Sequence, residues 1–150
     1  MPAPYAGRCV CGEIQYRVTQ EPLTVYACHC TDCQKRSGSA FGLSMWVRSA
    51  DLQVTKGSPK MLEIPGIDGQ PRHHYVCERC ACRLWSARPG RPEFAVVRAG
   101  TLEDTKWLRP AAHIWTRSAQ PWIVFPEGVP RLETQPADPR ELLSLGKAGS

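Results

Sequence analysis

At 150 residues and 16.7 kDa the chain has the size of one domain able to bury its own core. A hydrophobic share of 42% beside 22% charged residues excludes intrinsic disorder, and no 18-residue apolar run is present to form a spanning helix. The net charge of +5 rests on 19 scattered Lys and Arg that never form a block, a weak case for a polyanion partner. Fourteen Pro and 12 Gly spread along the chain argue against long helices and for short strands joined by turns. Residues 1–8 lack the apolar stretch of a secretory signal, so the expected compartment is the cytoplasm.

In chain order, Ile14, Tyr16 and Val18 alternate with Glu13, Gln15 and Arg17, the period of a strand with one buried face. A second strand is expected over Leu23 to Ala27. A short helical turn through Arg36 follows, capped by Thr31 or Asp32 and ended by Gly38. Further strands are read at Phe41 to Val47, Leu52 to Thr55 and Met61 to Ile64. Residues 65–71 are dense in turn formers and read as a surface loop. Extended structure resumes at Arg72 to Val76, at Leu84 and Trp85, at Phe94 to Ala99, at Ile114 and Trp115, and at Trp122 to Phe125. The expected fold class is mainly β, with about ten short strands and few helical turns. The chain divides into a domain over 1–125 and a Pro-rich extension over 126–150, where Arg140 to Lys147 is expected to form one or two helical turns.

The chemistry is carried by cysteine. Seven of the eight fall into three groups: Cys9 and Cys11, then Cys28, Cys30 and Cys33, then Cys77 and Cys80. In a reducing compartment such groups point to metal rather than to disulfides. Zinc takes four tetrahedral ligands, so the pairs Cys9/Cys11 and Cys77/Cys80 are natural halves of one closed structural site. Cys28, Cys30 and Cys33 fill three corners by themselves and leave the fourth for water or substrate, the arithmetic of a catalytic site. Other completions stay open at this point: Cys82, His29 or His113 as the fourth ligand. A redox thiol cluster is disfavoured because no strand–helix–strand setting surrounds it. His113 and the five tryptophans are read first as packing residues. Seven thiolates subtract seven charges and two zinc ions add four, which brings the formal +5 down to +2.

Several strings then taken together resemble the glutathione-dependent formaldehyde-activating family. They are Cys9-Val10-Cys11-Gly12, Cys28-His29-Cys30-Thr31-Asp32-Cys33 with Ser37-Gly38-Ser39, Cys77-Glu78-Arg79-Cys80, Ala99 to Asp104, His113-Ile114-Trp115 and Pro121-Trp122. The resemblance runs from about Gly7 to Phe125. It implies an Mss4-like zinc-binding β domain and two Zn2+ per chain, with Cys9, Cys11, Cys77 and Cys80 as structural ligands. Cys28, Cys30 and Cys33 look like the catalytic ligands. The implied activity joins a small thiol such as glutathione to formaldehyde, or reverses that step, as a carbon–sulfur lyase would, with the thiol entering the open zinc position. Lys35 and Arg36 are candidates to meet a substrate carboxylate, set against a reading as solvated surface charges.

One departure stands out: where the family usually places Gly after its second Cys-x-x-Cys, this chain reads Cys80-Ala81-Cys82. Either the turn avoids positive φ or it carries strain. The alternative function is a non-catalytic zinc module that binds protein or nucleic acid, as the resemblance to centromere protein V allows. Dispersed basic residues and the open tripod make nucleic acid the lesser expectation.

Overall fold

The computed structural model describes residues 2–145; Met1 and residues 146–150, which include Lys147 of the expected C-terminal turns, lie outside the described residues. Among the described residues ten strands form two sheets. The smaller contains β1 (Tyr5–Arg8), β2 (Gln15–Val18) and β5 (Leu52–Lys56) in the order β1-β2-β5. The larger contains β3 (Thr24–Cys28), β4 (Gly42–Arg48), β6 (Lys60–Pro65), β7 (Pro71–Val76), β8 (Arg83–Arg88), β9 (Arg91–Arg98) and β10 (Ala112–Ile114). Its order is β10-β3-β4-β9-β8-β7-β6, antiparallel except for the parallel pair of β10 and β3. The mainly β architecture expected from the turn-rich sequence is the one observed.

Strand alternation gives the larger sheet two faces. Val25, Met45, Val47, Ala95 and Val97 point to one side and merge with Tyr5, Ile14, Tyr16 and Val18 in a core shared with the smaller sheet. Tyr26, Cys28, Trp46, Phe94 and Val96 point to the other side and build a second cluster with Ile114. Leu132, Leu142, Leu143 and Leu145 pack on that second cluster, the last three from a 3-10 turn over Pro139–Leu145. Backbone bonds hold the approach to it: His113 N–H donates to the Pro130 carbonyl and Leu132 N–H donates back to His113.

Four local expectations are corrected. β1 was not foreseen, because among its four residues only Tyr5 is large and apolar; Gly7 lets the Tyr16 ring cross it closely, and Tyr16 then bonds Thr101 at 2.6 Å. The helical turn α1 (Thr31–Ser37) is capped by Cys30, whose sulfur accepts from Cys33 N–H, and not by Thr31 or Asp32; Gly38 ends it at φ 65° as expected. Trp115 stands at φ 58° outside the strand it was assigned to. Trp122 to Phe125 form no strand: Pro121 and Pro126 bracket them, and Trp122 and Val124 are 67% and 89% exposed, so no sheet face claims them.

Candidate metal centres and the cavity beside one of them

The first cysteine site joins two turns that the sheets bring together. Cys9 and Cys11 lie between β1 and β2, where Cys9 N–H donates to Ile14 and Gly12 N–H donates back to Cys9 at φ 78°. Cys77 and Cys80 lie between β7 and β8, where Cys77 N–H donates to Cys82 and Ala81 N–H donates to Cys77. The four sulfurs lie within 4.8 Å of one another, with Cys9–Cys11 at 3.6 Å and Cys11–Cys77 at 3.7 Å. Such spacings are far beyond a disulfide bond and close to the edge of about 3.8 Å expected for a tetrahedron with ~2.3 Å metal–sulfur bonds. The donor set therefore fits a tetrahedral thiophilic ion. Ile14 N–H donates to the Cys9 sulfur at 3.3 Å, the kind of outer bond that orients a ligand. Backbone N–H groups of Cys11 and Cys82 pull the Cys80 thiol down to about 6, so this position is ready to ionise at neutral pH.

Ala81 settles the turn question raised by its missing glycine. Its φ is 63°, so the chain adopts the left-handed conformation with a Cβ in place, at a cost of about 1 kcal/mol. Cys82 follows on the same turn but does not join the four sulfurs. Burial raises its thiol, and the neighbouring Cys80 charge adds to that.

The second site is built from one short segment. Cys28 ends β3, Cys30 caps α1, and Cys33 sits in the first turn of α1, so their sulfurs converge within 4.8 Å. Among the described residues no fourth His, Cys, Asp or Glu joins them. His29, between Cys28 and Cys30, turns the other way: it is buried against Phe41 and Phe125, with its Nε2 2.9 Å from His113 Nδ1. The completions by Cys82, His29 or His113 are thus not the ones the fold makes, and His113 serves as a packed, hydrogen-bonded partner.

Three sulfurs this close cannot share three negative charges without a cation. Hydrogen bonds from Cys28 and Cys30, helped by the charges of Arg98 and Arg83, push the Cys33 thiol down. Cys28 is driven up by its bonds to Cys30 and Cys33 and then by burial. Such a set is suited to a divalent metal ion that neutralises two of the three charges.

All three cysteines line a cavity of about 140 Å³ on the second face of the larger sheet. Tyr26, Trp46 and Phe94 supply its aromatic side, and Trp46 Nε1 donates to the Tyr26 hydroxyl at 3.0 Å. The remaining wall is rich in arginine. Arg36, expected from the sequence as a substrate contact, lines it; Lys35, named with it, is exposed and is not among the lining residues. Arg83, Arg98, Ser44, Ser86 and Gln135 line it without having been singled out. One signal was available for Arg98: it stands in phase with Phe94 and Val96 on β9, a charge on an inward strand position.

Fold and donor sets together define a β-rich domain with two sulfur centres, one complete and one beside a cavity. The family model for glutathione-dependent formaldehyde-activating enzymes matches residues 4–118, and the chain belongs to that family. A curated relative from Emericella nidulans, named provisionally as a glutathione-dependent formaldehyde-activating enzyme, is 29% identical over 77 residues, which are 51% of this chain and 38% of that protein. The alignment thus spans well under half of that relative's length. A crystal structure of a Rhodobacter sphaeroides protein shares the fold, with a TM-score of 0.52 and 22% identity over 84% of this chain and 98% of the other. No helix among the described residues is long and apolar enough to cross a membrane.

Proposed function

We propose that the protein is a zinc-dependent enzyme that makes or breaks a carbon–sulfur bond in a small thiol adduct, with glutathione and formaldehyde as the first pair to test. One observation carries the reading: Cys28, Cys30 and Cys33 converge at a cavity wall, and among the described residues no fourth His, Cys, Asp or Glu joins them. The family supports the substrates, since its name specifies this thiol and this aldehyde. A zinc ion held by these three residues supplies Lewis acidity and favours a guest thiol as its thiolate.

In the synthetic direction a sulfur–carbon bond forms, the carbonyl π bond opens, and the thiol proton ends on the new hydroxyl oxygen. The chain's own residues position this exchange. Burial holds the Tyr26 proton on its oxygen, so Tyr26 offers the cavity a neutral donor while it accepts from Trp46. Such a donor stabilises charge that develops on oxygen. Trp46 and Phe94 restrict water on the same face. In this reading Arg36 meets a substrate carboxylate and Lys35 stays a solvated charge. Cys9, Cys11, Cys77 and Cys80 hold a second, structural zinc. The zinc domain spans residues 1–125, 126–150 form a Pro-rich extension from which Gln135 reaches the cavity, and the enzyme works in the cytoplasm. The alternative as a nucleic-acid module asks for a contiguous basic outer face; six arginines gather around the concavity instead, which favours a small guest.

The test is metal content together with turnover. The expected result is two zinc ions per chain and a glutathione-dependent consumption of formaldehyde that Cys30→Ser abolishes. A protein with one tightly held zinc and no response to thiols at the second site would reject the reading.

A further inference from the structure

Five of the six arginines around the cavity fall into two sets, the sixth being the exposed Arg36. Arg72 and Arg88 share Asp68, at 2.9 and 3.5 Å, and Arg91 reaches Asp138 at 3.3 Å. Arg83 and Arg98 have no carboxylate partner among the described residues. Arg83 donates instead to the neutral Nδ1 of His74 at 3.2 Å, and Arg98 donates to the hydroxyls of Ser44 and Ser86, each at 3.3 Å. Burial, with Arg83 beside it, holds His74 down to about 3, so this ring cannot compete as a cation. The Arg98 Nε–H is buried and has no hydrogen-bond partner among the described residues.

A desolvated guanidinium without an anion is costly, so an anionic guest that pairs with it is favoured. The sulfur tripod answers only part of this charge. Three thiolates around a divalent ion leave one negative charge, whereas the two guanidinium groups bring two positive ones. Arg98 also stands beside the tripod across an opening that one residue keeps clear: a Cβ on Gly42 would lie 3.4 Å from the Cys33 sulfur and 3.5 Å from Arg98 Nη1.

We propose that Arg83 and Arg98 form a carboxylate clamp beside the sulfur tripod, so that the site selects thiols carrying an acid group a few bonds from the sulfur. The proposal rests on the thiol-binding reading above and narrows it to a substrate class. A planar guanidinium pair presents parallel N–H donors that match a carboxylate, and Arg98 Nε–H is one of the donors still free. The partners already in place on Ser44, Ser86 and His74 fix the two groups before the guest arrives.

The experiment uses protein reconstituted with cobalt(II), whose absorption reports thiolate ligands, titrated with 3-mercaptopropionate and with its neutral counterpart 3-mercapto-1-propanol. The acid is expected to bind roughly tenfold or more tightly than the alcohol, the scale of a charge-assisted hydrogen-bond pair. Arg98→Gln is expected to erase that preference while binding of the alcohol stays within about twofold. Arg83→Gln and Arg98→Lys serve as second variants, the latter keeping charge but losing the fork, and each is accepted once metal content and thermal melting match the parent. Equal affinity for acid and alcohol in the parent, or a preference that survives all three substitutions, overturns the clamp and leaves the thiol-binding reading standing. A spectrum that neither thiol perturbs overturns that reading, and the clamp with it.

Discussion

The two cysteine centres use the same ligand atom and differ in how the chain delivers it. The first draws its four sulfurs from turns 66 residues apart, with Cys9 and Cys77 buried, Cys80 half-buried and Cys11 exposed. The second draws three sulfurs from six consecutive residues and sets them against a cavity walled by arginine and aromatic rings. Long-range delivery makes the first centre a clasp between sheets. Local delivery frees the second from that duty, so it can keep one side for a guest. A site's contribution to the fold therefore follows from loop length and ligand count more than from ligand type.

That contrast breaks most sharply under ligand replacement. Cys77→Ser is expected to abolish cooperative folding, because a structural zinc contributes on the order of 10 kcal/mol in small metal domains, comparable to a whole domain's stability. Cys30→Ser should remove activity and one metal equivalent while leaving a cooperative melt. Circular dichroism melts beside metal analysis decide this, and equal loss of folding in both would erase the distinction. Metal removal probes the same difference more gently: a chelator titration should release one equivalent with the fold intact and the second only with unfolding.

Substitutions near each site sharpen the comparison with smaller effects. Gly42→Ala places a methyl between Cys33 and Arg98, and turnover is expected to fall severalfold, roughly threefold to tenfold, with stability changed by less than about 1 kcal/mol. Steady-state kinetics with a melting curve separate the two quantities. Ala81→Gly relieves a left-handed alanine beside the closed site and is expected to add about 1 kcal/mol, seen as a melting rise of about 2–4 °C with no change in turnover. A fall in melting temperature would show that the turn is not strained.

The sequence announced the two cysteine groups that could hold a metal ion, because close cysteine pairs are rare by chance and tetrahedral metal geometry limits how they can combine. It announced most strands through alternation, Ile14, Tyr16 and Val18 being the clearest case. It did not announce β1, whose pattern contains one large apolar residue and a glycine, nor the absence of a strand at Trp122, where flanking prolines outweigh aromatic propensity. Cys30 as a cap was hidden by its stronger claim as a ligand. The cavity was the least legible part, since Arg83, Arg98, Ser44 and Gln135 meet only through the order of strands in the sheet and the course of residues 126–145. Leu142 shows why that last segment could not be placed beforehand: its burial depends on the β3 and β10 face it lands on, and local pattern carries no address.

The central claim is that one centre is coordinatively complete and the other receives a guest sulfur. Titrating glutathione into the cobalt(II)-loaded protein and recording its absorption tests this directly. The account predicts a change that saturates at one thiol per chain and is absent in Cys30→Ser, with the signal of the four-sulfur centre unaltered. A spectrum indifferent to glutathione, with both metals present, would contradict it.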